Sequence, residues 1–352
     1  MHPYKTLSAR HFWSKAVSNG FDASTVATLP RPLLKAGQKV MSAGSCFAAT
    51  LVPYLEGSGF EYVRTNNRHP DFRNVSPERF NYDIFSAAYG NIYTTRHLLQ
   101  LIRRGVGKFV PKEDRWHVDG AVIDPFRPGL RYVARSDREF DLLTKQYLDS
   151  VVAALRSCDV FIFTLGLTEA WRSMLDGAVY PACPGTIAGA FDVNRHEYVN
   201  FSVFDVVDDL DSFVEEVRCI NPNVRIILTV SPVPLVATAS DQHVLVASTY
   251  SKSVLRVAAE QAVVKNDNVF YFPSYEIVTG PQAPKNFFES DLRSVSPEAI
   301  ELVMTAFLSN CESNAFAKSK SDREGPRADA NELAALSARL TAVECEEAGQ
   351  DQ

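Results

Sequence analysis

Short apolar segments alternate with amphipathic segments over the first 310 residues or so of the chain. Five of the apolar segments have the length and composition of buried strands. They are Lys39–Gly44, Phe60–Val63, Asp159–Leu165, Val224–Ser231 and Asn268–Phe272. Helical patterns lie between them, at Cys46 to Glu56, Phe140 to Arg156, Val206 to Cys219 and Ser251 to Val264, and after Ser296-Pro297. This alternation predicts an α/β fold with a five-stranded parallel sheet that helices cover on both faces.

Two stretches depart from the alternation. Residues 64–135 are rich in Arg, Asn, Tyr and Pro and predict a long insertion with local helices after the second strand. Residues 312–352 are polar and predict a disordered or weakly helical tail. The sequence therefore predicts one domain over residues 1–311, with an insertion at about 64–135.

Composition and charge exclude several functions. The 352 residues include 36 Lys and Arg against 42 Asp and Glu, a net charge of −6, so we expect no nucleic-acid partner. No apolar run approaches 18 residues, and the N-terminus lacks the apolar segment of a secretory signal. We therefore expect a cytoplasmic protein with no membrane span and leave its oligomeric state open.

The sequence gives no sign of a metal or a cofactor. Its six cysteines are never closer than 25 residues to one another, so none has the spacing of zinc ligands. The phosphate-binding loop GxxxxGK[ST], the dinucleotide motif GxGxxG after a strand and the zinc motif HExxH are all missing. We therefore expect neither a metal nor a redox cofactor.

The first strand ends in Gly44-Ser45-Cys46-Phe47-Ala48, where a helix begins. Ser45 is therefore either a plain N-cap or a nucleophile at the carboxyl edge of the sheet. A helix N-terminus favours negative charge and could supply part of an oxyanion hole. Successive helical residues point about 100° apart, so we expect Cys46 to be a small buried residue rather than a second nucleophile.

The segment Gly44–Ala48 resembles the signature of the GSCFA family, within the wider SGNH/GDSL hydrolase superfamily. The resemblance extends over most of residues 3–310 and includes Tyr89–Thr94, Thr164–Trp171, Cys183–Thr186, Thr229–Pro234 and Tyr271–Glu276. It implies a flavodoxin-like three-layer α/β/α sandwich. It also implies that Ser45 is the nucleophile of an enzyme that hydrolyses or transfers acyl groups, with polysaccharide-related roles.

The superfamily pattern further implies which residues hold the oxyanion. Gly90 and Asn91 fall where the second block has its oxyanion glycine, and Gly166 begins the third block. Thr168 replaces the oxyanion Asn of that block, so either its hydroxyl or Asn91 would take over the role. One such donor is typically worth about 3 kcal/mol of transition-state stabilisation.

The last block departs most from the pattern. The superfamily has D-x-x-H there, whereas this chain has Asp291-Leu292-Arg293-Ser294. A serine hydroxyl cannot accept a proton at neutral pH as an imidazole with a pKa of about 6.5 can. Either the base comes from elsewhere in the chain, or the protein is a catalytically degenerate member that only binds a ligand.

His243 is the first candidate for the base. It lies in the loop that leaves the fourth strand, where Asp241, Glu169 or Asp291 could orient it. A histidine that starts a helix or is simply solvated is the alternative. His196 is the second choice, and His69 and His97 lie in the insertion, which could fold over the site.

Two further features lie near the same strand ends. Lys252 and Arg256 are four residues apart on one helix. They could bind a carboxylate, a phosphate or the pyrophosphate of an acyl carrier or coenzyme A, or form an ordinary solvated face. After Glu169, Trp171 and Arg172 are expected at the start of a helix.

Together these observations predict serine-dependent hydrolysis or O-acyl transfer on an acylated carbohydrate or a similar small ester. Ser45 would attack the ester, His243 would take its proton, and Glu169 or Asp291 would orient the histidine. The alternative is a binding protein with the same fold.

Overall fold

The computed structural model describes residues 2–27, 32–65, 77–80 and 84–312. Its largest sheet has five strands: β1 (Lys39–Ala43), β2 (Glu61–Tyr62), β5 (Val160–Leu165), β9 (Arg225–Val230) and β10 (Val269–Tyr271). All four pairings are parallel, and the order across the sheet is β10-β9-β5-β1-β2. The predicted five-stranded parallel sheet is confirmed.

The strand order creates a crevice beside β1. The chain moves from β1 to β2 on one side, then crosses to β5, β9 and β10 on the other side. In open parallel sheets, ligands bind outside the carboxyl ends of the strands where the order reverses. In this protein that point lies between β1 and β5, which pair from Val40 opposite Val160 to Ala43 opposite Phe163.

Helices cover both faces of the sheet. Their bounds are α1 (Trp13–Ala16), α2 (Cys46–Glu56), α3 (Thr95–Gly105), α4 (Asp137–Ser157), α5 (Val203–Ile220), α6 (Val244–Lys265), α7 (Ser274–Thr279) and α8 (Pro297–Ser309). Helices α2, α7 and α8 pack on one face, and α3 to α6 pack on the other. Successive residues of β5 point to opposite faces: Ile162 packs in the core beneath α2, α7 and α8, and Phe163 packs in the core beneath α3 to α6. The strand is therefore apolar throughout. The three-layer α/β/α sandwich is confirmed.

The segment between β2 and α4 contains one long helix and a hairpin. The helix, α3, begins at the N-cap Thr94, whose side chain accepts a hydrogen bond from the His97 N–H at 3.2 Å. The hairpin pairs β3 (Trp116–Val118) with β4 (Ala121–Ile123). Part of this segment, including His69, lies outside the described residues, as does the predicted tail beyond Glu312.

A second sheet follows β5, where we expected a helix start at Trp171 and Arg172. Its antiparallel strands are β6 (Glu169–Ser173), β7 (Val179–Tyr180) and β8 (His196–Asn200), in the order β7-β6-β8. The Trp171 ring packs edge-on against the rings of Phe191 and Tyr198. The expected helix start is wrong, because these aromatic contacts come from residues that are distant in sequence and favour a strand.

No helix within the described residues is long and apolar enough to cross a bilayer.

Candidate functional site

Gly44 makes the turn from β1 into α2. Its φ of 152° is a conformation that residues with a side chain rarely adopt. A Cβ at this position would lie 2.7 Å from the Ala48 Cβ and 2.9 Å from the Thr164 carbonyl oxygen. Glycine is therefore needed here for both its conformation and its size, and it brings Ser45 to the carboxyl edge of the sheet.

Ser45 is the N-cap residue of α2, with an extended backbone. Its side chain makes no capping bond to the helix, unlike most serines in this position. The residue is 4% exposed, and its hydroxyl has no hydrogen-bond partner among the described residues. A hydroxyl that is not used to cap its own helix is available for chemistry.

The Ser45 side chain lines a small cleft of about 10 Å³ at the carboxyl ends of β1, β5 and β9. We call this space the Ser45 cleft. Its lining residues are Ser45, Cys46, Tyr93, Gly166, Leu167, Ser231, Val233, Pro234 and Arg293. The cleft thus occupies the place that the strand order indicates for a ligand.

The segment around Gly90 and Asn91 lies against the end of β1. The Ile92 N–H donates to the Gly44 carbonyl at 2.8 Å, and the Tyr89 hydroxyl donates to the Ser42 carbonyl. Gly90 has a φ of 64°, and Asn91 is 6% exposed. The structure therefore brings this segment to the strand end that carries Ser45.

Gly166 and Thr168 leave β5 together but differ in their surroundings. Gly166 lines the Ser45 cleft, and a Cβ there would lie 2.9 Å from the Tyr93 carbonyl oxygen. Thr168 is fully buried, and its hydroxyl donates to Asn200 Oδ1 at 2.7 Å. Its N–H donates to the Ser251 Oγ at 3.0 Å. The Thr168 hydroxyl thus joins the two sheets and is not among the groups that line the cleft.

Lys252 and Arg256 hold parts of the protein together. Lys252 is 3% exposed, and its Nζ donates to the Gly166 carbonyl at 2.7 Å. Arg256 forms ion pairs with Glu276 at 2.8 Å and with Glu260 at 2.9 Å. Neither side chain lines the Ser45 cleft, so the structure gives no support to the carrier-binding role that their spacing suggested.

Glu169 ties the start of β6 to the loop after β9. Its Oε1 accepts a hydrogen bond from the Thr238 hydroxyl at 2.8 Å. Burial raises the pKa of this carboxyl above its ordinary value, and the bonds from Thr238 and Tyr198 oppose that rise. Glu169 is therefore not among the residues that line the cleft, and it holds the loop that leads to His243.

Asp291 and Ser294 bond to each other. The Ser294 hydroxyl donates to Asp291 Oδ2 at 2.6 Å, and the N–H groups of Arg293 and Ser294 both donate to Oδ1 at 2.9 Å. Desolvation opposes the effect, but these bonds together hold the pKa of Asp291 below its ordinary value. Asp291 thus stabilises its own turn.

Arg293 enters the Ser45 cleft from this turn. Leu292 has a φ of 55° and a side chain that is 77% exposed, and the next residue, Arg293, turns inward. Its Nε–H donates to the Pro234 carbonyl at 3.2 Å. Arg293 was not among the predicted site residues, although its position between Asp291 and Ser294, in the block that lacks a histidine, could have indicated it.

None of the described histidines is hydrogen-bonded to Ser45. The His243 side chain is exposed at the start of α6, where its Nδ1 accepts from the Leu245 N–H at 3.2 Å. His196 is buried with its Nε2 3.1 Å from Glu113 Oε2. His97 is buried in α3, where desolvation and then the charge of Arg104 lower its pKa to about 4. The structure therefore places Ser45 and Gly166 on one cleft, holds the segment that contains Gly90 and Asn91 against the end of β1, and leaves His243 outside the lining.

The described residues contain no group of three or more His, Cys, Asp or Glu side chains arranged to hold a metal ion.

Comparison with known proteins yields a family and a distant structural similarity. A search of the curated proteins finds no match. Among solved structures, the chain is similar to a carbohydrate esterase family 3 protein from Talaromyces cellulolyticus, with 7% identity and a TM-score of 0.37 over 80% of this chain and 98% of that one. The sequence model of the GSCFA family matches residues 39–307, from the start of β1 to within α8. The chain belongs to the GSCFA family.

Proposed function

We propose that this protein performs serine-dependent acyl chemistry, as a hydrolase or an O-acyltransferase that acts on an acylated carbohydrate or a similar small ester. The observation that carries the proposal is the position of Ser45, which is 4% exposed, makes no capping bond to its helix, and lines the cleft where the strand order reverses. A serine kept only as a helix cap would bond to its helix instead.

In the proposed reaction, Ser45 Oγ attacks the ester carbonyl. The O–H bond breaks as the Oγ–C bond forms, and the proton passes to a base. The negative charge on the carbonyl oxygen is then held by N–H groups at the start of α2 and by Gly90, with Asn91 as a further donor. The alcohol leaves with a proton, and water or a sugar hydroxyl takes up the acyl group from Ser45.

His243 is the proposed base, and in this structure its use requires a movement. Its Nδ1 accepts a bond from the Leu245 N–H, so the neutral ring carries its own proton on Nε2, and Nδ1 is the nitrogen that would take the serine proton once this bond is released. The loop from Ser231 to His243 would have to bring the ring to the cleft, because the exposed ring is not among the residues that line it. Glu169, which is held to this loop through Thr238, would then orient the ring.

A binding protein that has kept the fold without turnover is the second candidate. Two observations favour it: the Asp291 carboxylate is bonded to Ser294 instead of to a histidine, and the His243 ring is exposed. Such a protein would use the Ser45 cleft to hold a ligand and would leave Ser45 unreactive.

Labelling with a fluorophosphonate probe separates the two candidates. Wild type, Ser45→Ala, His243→Ala and the control His117→Ala are treated with the probe, and the labelled peptide is found by mass spectrometry. His117 is exposed and contacts Asp137, so its loss leaves the cleft intact. Acyl chemistry with His243 as base requires labelling of Ser45 in wild type and in His117→Ala. It also requires labelling that is about a hundredfold slower or more in His243→Ala.

Two other results have a clear meaning. Labelling that persists in His243→Ala would keep the serine chemistry and assign the base to another group. Folded wild-type protein that takes up no probe would overturn the enzyme proposal and favour the binding protein.

A further inference from the structure

We infer that the outer face of α6 packs against the same face of a second copy of this chain, so that the protein forms a dimer with two-fold symmetry. The inference goes beyond the proposed function and does not depend on it. It concerns the side of α6 that points away from the sheet, and none of the residues it uses lines the Ser45 cleft.

Helix α6 is apolar on two opposite faces. Its inner face packs in the core, through Val254, Leu255, Ala258, Ala259 and Ala262. On its outer face, Val246, Tyr250, Val257 and Val264 are 55%, 41%, 51% and 76% exposed, respectively. A helix that is apolar all round is normally buried all round, so the outer face of α6 has the composition of a contact surface.

The outer face of α4 shows how a solvated helix face differs. Its exposed residues are mostly charged and include Arg138, Asp141, Lys145, Asp149 and Arg156. Between Val246 and Val264, the exposed face of α6 has Glu260 as its one charged residue, and Glu260 forms an ion pair with Arg256 at 2.9 Å. The α6 face therefore carries little charge that burial would have to desolvate, as is usual at the centre of a protein interface.

The outward residues of α6 follow the spacing of a coiled-coil seam. Val246, Tyr250, Ser253, Val257, Glu260 and Val264 are all exposed and follow one another at steps of four, three, four, three and four residues. We call these six residues the α6 seam. Steps of this kind keep side chains on one line along a helix, where a second helix can pack against them. The partner of the seam is therefore a helix that lies along α6.

The α6 seam matches itself when a second copy is turned end over end. Its step pattern reads the same in both directions, so a two-fold axis at the level of Leu255 brings one seam onto the other. Val246 and Ser253 then face Val264 and Val257 of the second copy. This self-match is what commits the seam to a second copy of the chain.

The polar residues of the seam agree with the same pairing. The two-fold axis places Tyr250 opposite Glu260 of the second copy, where the tyrosine hydroxyl can donate to the carboxylate. The contact occurs twice by symmetry. A polar pair at a defined level of a helix pair fixes its register and orientation.

The size of the seam sets the expected strength of the contact. Helix α6 has 22 residues, so it is about 33 Å long. If about a third of its circumference is covered, roughly 500 Å² is buried on each partner, or about 1,000 Å² in total, which is near the lower limit for a specific interface. We therefore expect a dimer that dissociates at micromolar concentrations.

Sedimentation velocity of the full chain tests the inference, at concentrations from about 1 to about 200 μM. Wild type is compared with Val257→Glu and with the control Leu142→Glu. Leu142 is 62% exposed on α4, so its replacement adds the same charge to another outward helix face. We expect wild type and Leu142→Glu to dimerise alike, and Val257→Glu to dissociate at concentrations about a hundredfold higher or more, because the axis brings the two glutamates together.

A mixture of oppositely charged variants tests the two-fold geometry. The axis places position 257 of one copy about 6 Å, measured along the helix, from position 257 of the other. Val257→Glu and Val257→Lys should each stay monomeric alone and should form a mixed dimer when they are combined. Circular dichroism of each variant confirms that it is folded, as expected for a change at an exposed position.

Three results would overturn the inference. They are wild type that stays monomeric at about 200 μM, Val257→Glu that dimerises as wild type does, and a mixture that forms no mixed dimer. The first would leave the α6 seam to another segment of the chain or to a different protein, and the second would place the dimer contact elsewhere. Sedimentation gives its answer whether or not the fluorophosphonate probe labels Ser45, so the proposed function and the inference can fail separately.

Discussion

Ser294 and Asp291 form a hydrogen bond of 2.6 Å from Oγ to Oδ2 in the block where the SGNH superfamily pattern has an aspartate and a histidine. The serine thus occupies the acceptor that a histidine would use in a triad. Asp291 thus has hydrogen-bond partners without any histidine, because its carboxylate accepts from the Ser294 hydroxyl and from two backbone N–H groups.

Replacing Ser294 by histidine should restore part of a triad. We expect Ser294→His to raise the rate at which the fluorophosphonate probe labels Ser45 by about tenfold or more. The rise should follow deprotonation of an imidazole with a pKa near 6.5. The control is Ser309→His, an exposed position at the end of α8. Equal rates in Ser294→His and Ser309→His, from pH 5 to 8, would show that this position does not reach Ser45.

Gly44→Ala should lower the free energy of unfolding by about 2–4 kcal/mol, because the added Cβ would both clash with its neighbours and strain the backbone. Gly107→Ala is the matched control, because Gly107 has a φ of 75° and no atom within 4 Å of an added Cβ. It should cost only about 1–2 kcal/mol. Urea denaturation gives both free energies of unfolding. Equal losses for the two variants would mean that crowding by Ala48 and Thr164 plays no part.

Thr168→Val should lower stability without changing the reactivity of Ser45. The substitution leaves Asn200 Oδ1 without its donor in a buried place, which costs about 1–3 kcal/mol. Thr249→Val, on the exposed side of α6, should be nearly neutral. If Thr168 instead held the oxyanion, probe labelling of Ser45 would slow by about a hundredfold. Denaturation and labelling rates measured on the same samples decide between the two roles.

The buried His97 should lower the free energy of unfolding of the protein at acid pH. Burial and the nearby Arg104 lower its pKa to about 4, whereas in the unfolded chain it is about 6.5. Between these values the unfolded chain binds the proton and the folded protein does not, so stability falls as the pH falls from 6.5 to 4, by about 3 kcal/mol in all. His97→Gln should lose this part of the pH dependence, while exposed His117→Gln should keep it. Parallel slopes for wild type and His97→Gln in that window would contradict the assignment.

The sequence predicted the sheet well because its strands are buried on both faces. The apolar run Asp159–Leu165 differs from β5 by one residue, and Val224–Ser231 differs from β9 by one at each end. Helix α6 was predicted to begin at Ser251 but begins at Val244. Its first turns carry the exposed apolar residues Leu245 and Val246, which disturb the amphipathic pattern.

The candidate site was less predictable because its partners come from distant parts of the chain. The motif located Ser45 at the end of β1, and the strand order accounts for its place in the crevice. No local pattern indicated that the Thr168 hydroxyl would be bonded to Asn200, or that Lys252 would be bonded to the Gly166 carbonyl. Arg293 reaches the cleft only through the turn at Leu292, a backbone conformation that the residue type does not favour.

The residues that line the Ser45 cleft have a consequence for the synthesis of the protein on the ribosome. Ser45 leaves the ribosome first, and the residue that closes the cleft, Arg293, follows about 250 residues later. At about 5–20 residues per second, the nascent chain carries an unenclosed serine for on the order of tens of seconds. During that time no intact cleft exists, so the proposed acyl chemistry could not start before synthesis has passed Arg293.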